Sequence, residues 1–116
     1  MLQTTDLPSW TVTEPEIMEL DKYLSGTNAP DLEEDVRLCI ASGAREMIMD
    51  CSNLGYMTGA GARAFLMIAR MMDDVGGKLS VRNLNGQPLD IFTACGLNGF
   101  IPTTDQTFNI SGARVA

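Results

Sequence analysis

The chain has 116 residues with a net charge of −7 at neutral pH, 45% hydrophobic residues and 20% charged residues. A chain of this length buries about two thirds of its unfolded surface, so a single domain with a hydrophobic core is expected. The acidic balance and the eight scattered Lys and Arg residues argue against nucleic acid as a partner, because phosphate backbones are bound by clustered cations.

The absence of histidine excludes several kinds of catalytic site and metal site. It removes Ser-His-Asp and Cys-His nucleophiles and every His-ligated metal site, so we expect no catalytic residues, no metal and no cofactor. The three cysteines, Cys39, Cys51 and Cys95, are far apart and odd in number, which predicts buried thiols in a reducing cytoplasm. No apolar run reaches the roughly 18 residues of a membrane span, so a cytoplasmic protein without membrane insertion is predicted.

The first part of the chain contains two short strand candidates. We expect residues 1–8 to form a flexible N-terminal segment and residues 9–116 to form one domain. The strand candidates are Trp10–Val12 and Ile17–Leu24, and Pro15 marks the turn between them.

A helix and a buried strand are predicted next. Asn28 is a capping residue and Pro30 lies in the first turn, and Gly43 ends the helix. The apolar stripe follows i, i+4, i+7 and i+8 spacing through Leu32, Val36, Cys39 and Ile40. The acidic run within this helix, Asp31–Asp35, is interpreted as a solvated helix start, with a basic protein surface as the alternative contact. The consecutive apolar residues of Arg45–Cys51 are typical of a strand covered on both faces.

The second half continues the alternation of strands and helices. A helix from about Gly61 to Asp74 is apolar nearly all round, which indicates deep burial or, alternatively, an exposed face for a partner. A strand over Lys78–Leu84, a helix from Pro88 to Gly96 and a last short strand over Gly99–Pro102 follow. This βαβαβ pattern predicts an α/β fold.

The turn before the long helix is the predicted functional site. A chain that passes from a strand into a helix N-terminus exposes unpaired N–H groups to which a partner or a phosphate can bind. Gly59, Ala60 and Gly61 are expected to provide the clearance for such an approach.

Several motifs together resemble the STAS domain, in its small stand-alone form, the anti-sigma factor antagonist. The resemblance covers nearly everything from Ile17 to Pro102. It rests on Leu24-Ser25-Gly26, Asp50-Cys51-Ser52 before Leu54, the segment from Tyr56 to Arg63, Gly76-Gly77 before Leu79 and Val81, and Cys95-Gly96-Leu97.

The resemblance implies a mixed sheet of four or five strands with helices mainly on one face, and a signalling role without catalysis. In this family an unphosphorylated antagonist binds an anti-sigma factor, often also a serine kinase, and so frees a sigma factor. The partner surface is then expected at Tyr56–Arg63, with contact area from Tyr56 and Met57 and a charged contact from Arg63. A monomer or weak homodimer is expected.

The chain departs from the family at the position of the phosphoacceptor serine. When the family motif is aligned with Tyr56, Ala60 and Gly61, the serine corresponds to Gly59, which has no hydroxyl. Thr58 is the nearest acceptor, although its hydroxyl is also suited to cap the helix. The protein is therefore either constitutively competent or regulated through Thr58. The constitutive form is favoured, because a hydroxyl one residue earlier lies about 3 to 4 Å from the usual position.

Two other interpretations remain. One is a STAS scaffold subunit of a lipid-transport or sensory complex, which the missing serine favours. The other is dinucleotide binding, since Gly59–Ala64 fits G-x-G-x-x-A. About seven residues separate the strand end at Cys51 from Gly59, however, and no acid closes the Lys78–Leu84 strand for ribose recognition.

Overall fold

The structure is a computed structural model that describes residues 15–104. The predicted strand Trp10–Val12, the predicted flexible segment 1–8 and the end of the predicted domain at residue 116 lie outside the described residues. The described part contains β-strands, α-helices and one 3₁₀ turn. In chain order they are β1 (Glu16–Glu19), β2 (Tyr23–Leu24), α1 (Ala29–Ala41), β3 (Glu46–Asp50), β4 (Tyr56–Met57), α2 (Gly59–Asp74), β5 (Lys78–Arg82), α3 (Gly86–Ala94), the 3₁₀ turn (Leu97–Gly99) and β6 (Thr103–Thr104).

Two parallel sheets organise these elements. The main sheet has four strands in the order β1-β3-β5-β6, and a separate two-stranded ribbon pairs β2 with β4. Every pairing between described strands is parallel, which agrees with helical crossovers between successive strands. The α/β fold predicted from the sequence is confirmed. The sheet was expected to be mixed, with four or five strands; it has four described strands, and no antiparallel pairing occurs among residues 15–104.

The core lies between the main sheet and the helices. Met47 and Met49 of β3 pair in register with Leu79 and Val81 of β5, and all four side chains are buried. They face the buried side of α2, where Phe65 packs edge-on against Phe92 of α3 with ring centroids 5.7 Å apart. Alternation along the strands therefore selects the face that the helices cover.

The two long helices follow their predicted stripes. In α1, Leu32 and Val36 are buried and Cys39 and Ile40 pack against the core. Helix α2 buries its small and apolar residues along most of its length and exposes one large apolar side chain, Met67, at 42%. Deep burial is thus the correct interpretation of this apolar helix. The helix begins at Gly59, two residues earlier than predicted.

Two predicted strands were wrong in their extent. Ile17–Leu24 divides into β1 and β2, which belong to different sheets. The break occurs because the two parts of this segment bond to different partners. The Leu20 N–H donates to the Asp50 carbonyl at 3.1 Å, whereas the Lys22 carbonyl accepts from the N–H of Gly55, just before β4, at 2.8 Å.

The last strand begins after Gly99–Pro102 rather than within it. Gly96 has a positive φ of 75°, which starts a 3₁₀ turn because glycine adopts the left-handed region without strain. The N–H groups of Phe100 and Ile101 both donate to the Leu97 carbonyl at 2.9 Å. Extended pairing is therefore delayed until Thr103.

The start of α2 is packed against the ribbon through Gly61. A Cβ atom at Gly61 would lie 2.3 Å from the Leu24 carbonyl oxygen, whereas a Cβ atom at Gly59 would meet nothing within 4 Å. Gly61 is buried and Gly59 is exposed. The two glycines of one motif therefore have different roles: Gly61 permits close packing within the fold, and Gly59 leaves open space at the surface.

Gly61→Ala is expected to lower the free energy of unfolding by about 1–3 kcal/mol, because the new methyl overlaps a backbone carbonyl that cannot move aside alone. Gly59→Ala is the matched control in the same helical turn and should change stability little. Urea unfolding followed by far-UV circular dichroism measures both. Equal stabilities of the two variants would contradict the close approach of α2 to β2.

Candidate functional site

The turn from Tyr56 to Arg63 divides into an exposed part and a buried part. Tyr56 is 55% exposed, and Gly59, Ala60 and Arg63 are also exposed. We call Tyr56, Gly59, Ala60 and Arg63 the turn surface. These residues are available to a partner at the N-terminus of α2.

Two of the predicted site residues lie inside the protein instead. Met57 is fully buried, so the expectation that it supplies contact area was wrong: alternation along β4 turns Met57 into the core and Tyr56 outward. Gly61 provides clearance for the Leu24 carbonyl, not for a partner as expected.

Thr58 caps helix α2. It has extended backbone angles (φ −97°, ψ 171°), and its hydroxyl oxygen accepts a hydrogen bond from the Gly61 N–H at 3.0 Å. The backbone of Thr58 is also fixed, since its N–H donates to the Leu24 carbonyl at 3.0 Å. The helix-cap interpretation of this residue is confirmed, and a cap of this kind contributes about 1 kcal/mol.

An exposed pair of tyrosines, one of them in the turn surface, extends this surface onto the ribbon. Tyr23 of β2 and Tyr56 of β4 are direct neighbours in the parallel register of the ribbon, and their exposed fractions are 49% and 55%. Aromatic neighbours on one face stabilise strand pairing and offer large, rigid contact area to a partner. Tyr23 was missed from the sequence because β2 was assigned to the end of a longer strand.

Two side-chain carboxamides bind the outer edges of this ribbon. The Met57 N–H donates to Gln87 Oε1 and Gln87 Nε2 donates to the Met57 carbonyl, both at 2.8 Å. On the other edge, the Ser25 N–H donates to Asn28 Oδ1 and Asn28 Nδ2 donates to the Tyr23 carbonyl, both at 2.9 Å. Both side-chain amides therefore form hydrogen bonds with the backbone of the ribbon that carries the tyrosine pair.

Asn28 occupies the N-cap position of α1 but does not cap it with its side chain. The predicted capping hydrogen bond was wrong because the carboxamide turns back to the ribbon. The Ala29 N–H instead donates to the Ser25 carbonyl at 2.9 Å, which extends the helical hydrogen-bond pattern backward.

A buried carboxylate organises the carboxyl edge of the main sheet. Asp50 Oδ1 accepts from the Ser52 N–H at 3.0 Å and from Asn83 Nδ2 at 3.1 Å, and Asp50 Oδ2 lies 3.4 Å from an Arg82 guanidinium nitrogen. Burial alone would raise the pKa of Asp50, but the hydrogen bonds from Asn83 and Ser52 and the charge of Arg82 outweigh it and lower the pKa. The sequence placed Asp50 only at the end of a strand and in the Asp50-Cys51-Ser52 motif, because its partners Arg82 and Asn83 lie 32 and 33 residues away along the chain.

The thiols of Cys39 and Cys51 are not activated as nucleophiles. Burial, together with the Asp50 charge, raises the pKa of Cys51 to about 12, and burial also raises the pKa of Cys39. Both thiols therefore stay protonated at neutral pH. Of the three thiols expected to be buried, only Cys51 is fully buried: Cys39 is half-buried and Cys95 is exposed. Cys95 follows the last turn of α3.

Between residues 15 and 104, no three His, Cys, Asp or Glu side chains are grouped so that they could hold a metal ion. In the same part of the chain no helix combines the length and the apolar character needed to cross a bilayer.

The glycine-rich turn differs from a dinucleotide site in its surroundings. The strand directly before α2 is β4, which belongs to the two-stranded ribbon and not to the main sheet. A dinucleotide fingerprint requires its glycines between a central strand and a helix, with the first glycines free to approach pyrophosphate. Here Gly61 is occupied by the protein's own Leu24 carbonyl.

Asp50→Asn is expected to destabilise the protein in a pH-dependent way. Because the folded-state pKa of Asp50 is lowered, its ionised form adds stability above the unfolded pKa of about 3.9, and this stability is lost as the pH falls through the folded pKa. The variant should unfold with about 1–3 kcal/mol less free energy at pH 7. The difference from wild type should shrink below about pH 4.

Urea unfolding from pH 7 to pH 2.5 measures this difference, with the exposed Asp74→Asn as a control for the change in net charge. A difference between wild type and Asp50→Asn that stays constant across the range would show that the ionised carboxylate does not stabilise this edge.

Comparisons with known proteins identify the family. The STAS domain model matches residues 11–109. The chain is 26% identical over 87 residues to the anti-sigma factor antagonist BtrV of Bordetella bronchiseptica, covering 75% of each protein.

Solved structures share the fold. Unphosphorylated SpoIIAA of Bacillus is 19% identical with a TM-score of 0.63, and the match covers 81% of this chain and 82% of that one. The anti-sigma factor antagonist TM1081 of Thermotoga maritima is 13% identical with a TM-score of 0.66, covering 75% and 77% respectively. The resemblance inferred from the motifs is thereby confirmed, and the chain belongs to the STAS domain family.

Proposed function

We propose that this protein is a regulatory binding module that antagonises an anti-sigma factor by occupying it through the turn surface. The observation that carries the proposal is the exposed turn at the N-terminus of α2, where Tyr56 and Arg63 flank the small residues Gly59 and Ala60. Membership of the STAS family and the similarity to BtrV support this choice of partner.

The helix end within the turn surface is suited to contact with another protein. The Gly61 N–H is capped by Thr58 and the Ala62 N–H bonds the Thr58 carbonyl. The N–H groups of Gly59 and Ala60 have no acceptor within residues 15–104. They can therefore bind acceptor groups of a partner.

Arg63 supplies a charged contact at the edge of this surface. It is exposed, and no carboxylate of the described residues forms an ion pair with it. Arginine is enriched in binding hot spots because its guanidinium makes several directional hydrogen bonds. We therefore assign Arg63 the orienting role and Tyr56 the contact area.

Gly59 takes the place of the phosphoacceptor serine in this proposal. Thr58, the adjacent hydroxyl, is held against the helix by its bond to the Gly61 N–H. A kinase would have to reach a capping oxygen that is part-buried and displaced by one residue from the usual position. The protein is therefore proposed to be constitutively competent to bind an anti-sigma factor that is also a serine kinase.

The proposed mode of action is occupancy without turnover. The sequence has no histidine, and burial keeps the Cys39 and Cys51 thiols protonated.

A scaffold role in a transport or sensory complex is the alternative. Co-purification distinguishes the two, because an anti-sigma factor should be recovered in the first case and transport or sensory subunits in the second.

Tyr56→Ala and Arg63→Ala are each expected to weaken binding to the cognate anti-sigma factor by about fivefold or more, as loss of a hot-spot residue does. Isothermal titration calorimetry with the purified partner measures the affinity. Phe100→Ala is the matched control, because Phe100 is the most exposed large apolar residue described, at 71%, and lies outside the turn surface. Equal losses in all three variants, or none, would place the interface elsewhere.

Gly59→Ser is expected to gain phosphorylation that the wild-type chain lacks. The substitution fits without a clash, since a Cβ atom at this position meets nothing within 4 Å. Incubation with the cognate kinase and ATP, followed by mass spectrometry of peptides, measures the modification. Stoichiometric phosphate on Thr58 of the wild type, accompanied by weaker partner binding, would refute the constitutive form.

A further inference from the structure

We infer that Asn28 and Gln87 are positioning residues whose carboxamides hold the tyrosine pair in its binding geometry, and that Tyr23 is a further contact residue of the same surface. This inference rests on the proposed function. It concerns residues of α1 and α3 that lie far from the turn in sequence.

The ribbon that carries Tyr23 and Tyr56 is too small to be rigid by itself. Each strand has two residues, and an isolated two-stranded pair is at best marginally stable in water. Each outer edge also presents backbone groups that need partners. The main sheet supplies none, because the ribbon is a separate sheet.

Gln87 takes the place of a neighbouring strand along β4. Its carboxamide has the same donor and acceptor groups as a peptide unit, and it bonds both backbone groups of Met57 at 2.8 Å. Because Gln87 lies in the first turn of α3, the position of this helix is coupled directly to the backbone between Tyr56 and Thr58.

Asn28 does the same along β2. Its donor and acceptor bond the Tyr23 carbonyl and the Ser25 N–H, both at 2.9 Å. These groups belong to residues two positions apart, which point to the same side of an extended chain. The side chain thereby fixes the backbone on both sides of Leu24, whose carbonyl accepts from the Thr58 N–H.

The two carboxamides together preorganise the exposed aromatic surface. Leu24 and Met57 are buried and anchor the inner side of the ribbon, so the adjacent Tyr23 and Tyr56 are directed outward as a pair. A surface held in this way avoids the entropy cost of ordering when a partner binds. Loss of a carboxamide should therefore weaken binding although neither amide belongs to the turn surface.

The test uses Gln87→Glu and Asn28→Asp. Each variant keeps the acceptor oxygen but replaces the donor NH₂ with a carboxylate oxygen that faces a backbone carbonyl. Asn98→Asp adds the same charge at an exposed position of the 3₁₀ turn and serves as the control. Thermal melting establishes that each variant is folded.

At pH 7.5 we expect about tenfold faster hydrogen exchange at the Met57 and Thr58 amides by NMR and about tenfold weaker binding to the anti-sigma factor, with β3 and β5 amides unchanged. Both effects should diminish as the pH is lowered toward 4, because a protonated carboxyl regains the donor. Tyr23→Ala should weaken binding to a similar degree. The control should show none of these changes.

The outcomes separate the inference from the proposed function. Unchanged amide exchange in both variants would show that the carboxamides do not hold the ribbon. Faster exchange with wild-type affinity would show that ribbon geometry does not set binding. A wild-type chain that binds no anti-sigma factor would refute the proposed function and the positioning role together, while amide exchange would still decide whether the carboxamides hold the ribbon.

Discussion

The contact between Gly61 and the Leu24 carbonyl is the constraint on which the candidate site depends. It brings the first turn of α2 against β2 so closely that no Cβ atom fits between them. The same carbonyl accepts the Thr58 N–H at 3.0 Å, and Thr58 in turn caps the helix. A single point of backbone packing therefore joins the ribbon to the helix end, and the exposed turn is a consequence of how the fold closes there.

Much of the architecture could be predicted from the sequence because the main elements have strong periodic patterns. The stripe of α1 and the apolar run of β3 reflect burial against one continuous core, which selects side chains at every turn or every second residue. The ribbon has no such signal. Two residues of β2 cannot show a period, and their pairing depends on Lys22 accepting from the distant Gly55 and Tyr56 N–H groups. The prediction from the sequence therefore joined β2 to the strand before it.

The candidate site was predictable to the extent that it uses local chemistry. A threonine three residues before a glycine N–H is a local capping arrangement, so the role of Thr58 follows from spacing. The roles of Tyr23, Asn28 and Gln87 could be recognised only in the tertiary structure. Gln87 bonds a residue 30 positions away, and the Asn28 side chain bonds the ribbon instead of capping its own helix. In a sequence, a polar side chain that bonds backbone groups outside its own helix resembles an ordinary helix-start residue.

The two glycines of the turn show how fold and function can be separated within one motif. At Gly61 the fold itself requires glycine, because any side chain meets backbone atoms. At Gly59 the fold makes no such demand: the position is exposed, its Cβ direction is open, and it lies at the start of a helix where serine is also tolerated. Packing therefore does not explain why glycine occupies residue 59. Under the proposed function the explanation lies in regulation, since glycine removes the hydroxyl while leaving the binding surface and the helix end intact.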